Sequence, residues 1–120
     1  MTKTNLSGVI PPVTTPFDEH GEIEYTSVKA QIDWLIDCGV SGIAVGGSTG
    51  EGHALEADEF RTLINVAFEA ADGRIDVVAG IITDSTRESV RRGQMIQDLG
   101  VAALQVTPVH YVFKPGDDDT

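Results

Sequence analysis

The feature that most narrows what this chain can fold into is an alternation of period. Short apolar runs at residues 8–13 (GVIPPV), 42–45 (GIAV), 75–80 (IDVVAG) and 102–106 (AALQV) are separated by longer stretches whose apolar residues recur at helical spacing. Over 25–38, Val28, Ile32, Leu35 and Ile36 mark one helix face, with Gly39 as the stop. Over 56–71, Phe60, Leu63, Ile64, Ala67, Phe68 and Ala71 mark a second face, closed by Asp72-Gly73. Ser85-Thr86-Arg87-Glu88 has the form of a capping box and opens a third helix, whose apolar face includes Ile96 and Leu99, with Gly100 as the stop. Strands too short to be amphipathic helices, joined by crossover helices, predict an α/β fold with a parallel sheet. The two prolines in GVIPPV argue against a regular central strand there. Two architectures satisfy the order: an open doubly wound sheet, and a (β/α)8 TIM barrel. A barrel needs about 250 residues, of which residues 1–120 supply about half.

In both architectures ligands sit beyond the C-terminal ends of the strands. The segment GGSTGEG, residues 46–52, follows the second apolar run there and has four glycines in seven positions. Glycines let backbone N–H groups approach a ligand closely, and the adjacent Ser48 and Thr49 hydroxyls add donors, which together describe an anion site. A phosphate-binding GxxxxGK[ST] loop is excluded because Glu51 stands where that motif has lysine. The spacing of Gly47, Gly50 and Gly52 reads GxxGxG rather than the GxGxxG of a dinucleotide site. A carboxylate fits better, since two N–H groups and one or two hydroxyls suffice for it. A glycine-rich turn without a ligand is the alternative.

Charge excludes another class of partner. With 8 basic and 19 acidic residues the formal net charge is -11, the opposite of the basic footprint that nucleic acid requires. No apolar run approaches the about 20 residues of a membrane span, and MTKTNLSGVIPPV has no apolar core of a secretory signal, so a cytoplasmic location is expected. The single cysteine, Cys38, allows no internal disulfide and is expected as a partly buried structural thiol.

The segments GVIPPVTTPFDEHGEIE, GVSGIAVGGSTGEGHAL, DVVAGI and GVAALQVTPVHYVFKPG resemble, in order over nearly the whole chain, the N-terminal half of the dihydrodipicolinate synthase and N-acetylneuraminate lyase family. Two signals carry the resemblance: G-[ST]-T-G-E after one strand, and V-T-P with an aromatic after a later one. The resemblance implies a (β/α)8 barrel of which this chain supplies about the first three and a half βα units, residues 1–120 forming the N-terminal part of a single domain. It implies a class I mechanism, in which a lysine condenses with the keto group of pyruvate or a related 2-oxo acid and the enamine joins or leaves an aldehyde, with no cofactor and no metal.

Carried over by motif, Gly47, Ser48 and Thr49 would bind the substrate carboxylate, and Ser48 would also act in a proton relay with a tyrosine after V-T-P. Simple counting puts His110 at that tyrosine's position; a one-residue insertion puts Tyr111 there, which matches the family chemistry. The family's Schiff-base lysine and second relay tyrosine fall beyond Thr120, and none of Lys3, Lys29 and Lys114 is placed to replace that lysine, so this chain alone is expected to be inactive. A homotetramer is implied as well. Two other functions stay open: a sensor that binds a 2-oxo acid without turning it over, and a small complete α/β domain binding an anion.

The remaining polar residues have plainer expectations. Glu51 is expected to brace the turn, His53 to pack behind it, and His20 to be solvated in its Asp18–Gly21 turn. Trp34 is expected in packing, Asp117-Asp118-Asp119 in a solvated loop or a helix N-terminus, and Arg87, Arg91 and Arg92 on a solvated helix face open to subunit contacts.

Overall fold

The computed structural model describes residues 5–108. Helix α1 (Tyr25–Asp37) precedes strand β1 (Gly42–Val45), a 3-10 turn (Gly52–Ala54), helix α2 (Ala57–Ala71), strand β2 (Asp76–Ile81), helix α3 (Thr86–Ile96) and strand β3 (Ala103–Val106). The strands pair in the order β1-β2-β3, all parallel, as crossover helices require. Beyond β1, the proline-containing segment extends the sheet by one bridge, Pro12 to Ala44. Its prolines cannot donate, so the ladder is carried by the donors that remain. Val13 N–H reaches Ala44 O at 2.8 Å, Ala44 N–H reaches Pro11 O at 3.0 Å, and Ser41 N–H reaches Val9 O at 2.9 Å.

Alternation along the strands separates two faces. Ile43, Val45, Val77, Ala79 and Ile81 are buried against the helices, where Val28, Ile32, Phe60, Leu63, Ile64 and Ile96 complete the core. Burial of each large member contributes about 1.5–3 kcal/mol. The register Pro12–Ala44–Val78–Ala103 lies on the opposite side, the lumen of a barrel, with Gly42, Gly80 and Gln105 on the same face. On the helix side of β3, Leu104 and Val106 are exposed, whereas their neighbours Ala79 and Ile81 are buried.

The helix starts are built differently. Ser85 Oγ accepts the Glu88 N–H at 3.1 Å, but the Glu88 carboxylate turns away to Arg91 at 2.6 Å, leaving the capping box half formed. At α2, Glu59 Oε1 accepts the Glu56 N–H at 2.9 Å. Arg61 ties α2 to the end of α3 through a two-pronged bond to Asp98 at 3.0 and 3.2 Å and a further bond to Met95 O. The Arg61 hydrogen bond holds the Asp98 carboxyl below its usual range. A carboxyl depressed in the folded state stabilises it above the unfolded-state pKa, about 3.9, and loses that contribution as pH falls through the folded value. Asp98→Asn is therefore expected to flatten the acid limb of a stability–pH profile below about pH 4, with only a small change near neutrality because the pair is solvent-exposed.

Two expectations fail on the outer face of α1. Trp34 is 64% exposed rather than packed, and Cys38 is exposed rather than partly buried. The buried stripe of this helix is set by Val28 and Ile32, which turns Trp34 and Cys38 outward.

Candidate carboxylate-binding site

The loop at residues 46–52 leaves β1 through Gly46, whose φ of +76° only glycine adopts without strain. The Phe60 ring lies directly behind Gly46, where an added Cβ would stand 3.1 Å from Cε1. The loop then folds back on itself: Gly52 N–H donates to Gly47 O at 3.0 Å and Glu51 N–H to Ser48 O at 3.1 Å.

Three neighbours pin it. Thr15, buried in the segment after the first bridge, donates its hydroxyl to Gly50 O at 2.6 Å. Gly80 lies beneath Gly47 so closely that a Cβ at Gly80 would be 2.6 Å from Gly47 N. From α3, Arg92 donates to Gly52 O at 3.1 Å and to Leu55 O at 2.7 Å, with its guanidinium 5.2 Å from the centre of the Phe60 ring. Arg92 Nε has no hydrogen-bond partner, and Glu88 Oε1 lies 3.7 Å from it.

Arg92 thus departs from the expected solvated patch. It is 8% exposed, while Arg87 and Arg91 are exposed as expected. The signal in the sequence was its spacing, since Arg92 stands four residues before Ile96 and shares that residue's inward stripe. Thr15 is a second residue whose role was missed, because a hydroxyl in a Thr-Thr-Pro loop carries no sign of a partner 35 positions away.

Pinned this way, the loop presents Ser48 and Thr49 at its apex, both exposed. Among the described residues their N–H groups and hydroxyls have no hydrogen-bond partner. They open on a cavity of about 250 Å³ at the C-terminal end of the sheet, walled by Pro12 and Ala44 and by Gly47 itself. Although 19 of 120 residues are acidic, no described residue lining this cavity is an aspartate or glutamate. Convergent neutral donors in a cavity whose described lining holds no acid suit a small anion. A larger cavity, about 550 Å³, lies at the opposite end of the strands around Asp76, Asp98 and Phe68, away from this loop.

The other candidates fall elsewhere. The Glu51 carboxylate is exposed and accepts no hydrogen bond among the described residues; the turn is braced by the Glu51 backbone, which adopts φ 57° and accepts from Ala54 N–H at 2.9 Å. His53 is exposed instead of packed, and His20 is solvated as expected. Lys29 is exposed on α1. His110, Tyr111, Lys3, Lys114 and the three aspartates at 117–119 lie outside the described residues. Among the described residues there is no group of three or more His, Cys, Asp or Glu able to hold a metal ion, and no helix is long and apolar enough to cross a membrane.

Three parallel strands with a donor loop at their C-terminal ends define an α/β fold that both a doubly wound sheet and a (β/α)8 barrel satisfy. The chain belongs to the dihydrodipicolinate synthetase family, whose sequence profile matches residues 5–118. It is 38% identical over 111 residues to the 4-hydroxy-tetrahydrodipicolinate synthase of Methanococcus aeolicus, covering 92% of this chain and 38% of that relative. Among solved structures it resembles the chloride-inhibited dihydrodipicolinate synthase of Acinetobacter baumannii complexed with pyruvate, with a TM-score of 0.88 and 29% identity over 95% of this chain and 39% of that one. It also resembles CdNal of Clostridium difficile in complex with mannosamine, with a TM-score of 0.88 and 28% identity over 96% and 40% of the two chains. The chain thus spans well under half the length of these relatives. These likenesses decide between the two architectures in favour of the barrel.

Proposed function

We propose that residues 1–120 are the N-terminal part of a single barrel domain in a cytoplasmic, homotetrameric lyase or synthase that acts on pyruvate or a related 2-oxo acid together with an aldehyde. The observation that carries this reading is the Ser48–Thr49 apex, where two backbone N–H groups and two hydroxyls have no acceptor among the described residues and face a cavity whose described lining holds no acid. In this reading Gly47, Ser48 and Thr49 hold the substrate carboxylate. A neutral site with preorganised donors can do so in a chain of net charge -11, because local dipoles act at contact distance while the general field is screened within about 8–10 Å.

The chemistry proposed is a Schiff base. A lysine amine adds to the C2 keto group, water leaves, and loss of a C3 proton gives an enamine whose C3 attacks the aldehyde carbon. Lys29 is solvated on α1, far from the needs of such an amine, so the lysine is assigned to the protein outside the described residues. Ser48 would pass protons to Tyr111, with His110 as the other candidate for that role.

Treating the native protein with pyruvate and then borohydride is expected to fix a reduced adduct on one lysine, located by peptide mass spectrometry. Saturable pyruvate binding without any adduct would instead favour a sensor, and no pyruvate binding at all would remove the carboxylate reading of the loop.

A further inference from the structure

The lumen wall carries one long polar side chain that the loop's own architecture does not use. Gln105 lies on β3 in register with Gly80, and Gly47 packs directly over Gly80, with a Cβ there only 2.6 Å from Gly47 N and Cα. Adjacent strands stand about 4.8 Å apart, so Gln105 flanks the loop at one strand spacing. It lines the same cavity of about 250 Å³ as Ser48 and Thr49.

Two features set Gln105 apart from its neighbours. The register positions around it on this face, Ala44, Val78, Gly80 and Ala103, are small or apolar, as packed lumens favour. The Gln105 carboxamide is exposed to the cavity and has no hydrogen-bond partner among the described residues. A carboxamide brings two N–H donors without charge, whereas a carboxylate of the same shape would repel an anion.

We propose that Gln105 is a specificity-determining residue whose Nε2 donates to the anionic 2-oxo acid held on Ser48 and Thr49. This rests on the carboxylate reading of the loop. Gln105 thereby favours a ligand bearing negative charge over its neutral ester, a choice the loop donors alone make less sharply.

The test compares pyruvate and methyl pyruvate by titration calorimetry on the native protein and on two variants. Gln105→Glu is expected to weaken pyruvate binding about tenfold or more, and Gln105→Leu about three- to tenfold, with methyl pyruvate changed less than about twofold in both. The leucine variant gives an independent answer if the glutamate variant does not fold. Wild-type affinity for pyruvate in either folded variant would overturn the role of Gln105 and leave the loop reading standing. Equal losses for both ligands would assign Gln105 to packing and also overturn it. No binding of pyruvate by the unaltered protein would overturn both readings together.

Discussion

Gly52→Ala is expected to dislodge the loop at residues 46–52, at a cost of about 3 kcal/mol or more. The alanine Cβ would fall 1.8 Å from Gly46 O and 2.7 Å from Gly46 C, both backbone atoms that cannot rotate aside. The only relief is to separate the two ends of the loop, which breaks the Gly52 N–H bond to Gly47 O and frees the carbonyl that Arg92 holds. Gly47→Ala is the control, because nothing lies within 4 Å of a Cβ there. Urea denaturation of the two variants should therefore differ sharply: a large drop in midpoint for Gly52→Ala and a change within about 1 kcal/mol for Gly47→Ala. Similar midpoints would mean that the loop is not folded back as described.

Arg92→Ala is the second large effect. The guanidinium is buried, bonds the Gly52 and Leu55 carbonyls and covers the Phe60 ring, so its removal takes from Leu55 O its donor, leaves Gly52 O with only the 3.3 Å bond from Leu55 N–H, and opens a space beside the aromatic core. Hydrogen bonds to charged groups contribute about 1.5–3 kcal/mol each, offset in part by the desolvation of the charge, which places the expected loss at about 2–4 kcal/mol. Arg92→Met separates the contributions: it keeps much of the packing on Phe60 but supplies no donor, so it should recover a minority of the loss. Full recovery with methionine would show that the carbonyl bonds contribute little and that Arg92 acts by bulk alone.

Both predictions concern contacts that were not legible in the sequence, for a common reason. Period and turn chemistry are local, and they placed β1, β2, β3, α1 and α2 to within a residue of their observed bounds, whereas α3 ends at Ile96, three residues short of Leu99, and a turn carries the chain on to Gly100. The prolines of GVIPPV likewise argued against a regular central strand, and the segment extends the sheet by a single bridge. Ser48 and Thr49 stood out because glycines surround them. What pins them does not lie nearby: Thr15 acts across 35 positions and Arg92 across 40. A buried arginine also runs against the ordinary distribution of charge, and Arg87 and Arg91 beside it made a solvated face the natural expectation. Trp34 and Cys38 misled in the opposite sense, since residue types that usually pack were placed on a helix face that the structure leaves exposed. The match of the family profile to residues 5–118 agrees with the resemblance drawn from G-S-T-G-E and V-T-P.

The central claim is that the Ser48–Thr49 apex receives the carboxylate of a 2-oxo acid, and amide chemical shifts during a pyruvate titration test it most directly. Saturable shifts of the Ser48 and Thr49 amides at one common dissociation constant are expected, with methyl pyruvate producing them only at higher concentrations. Saturable shifts confined to other residues, with the Ser48 and Thr49 amides unmoved, would contradict it.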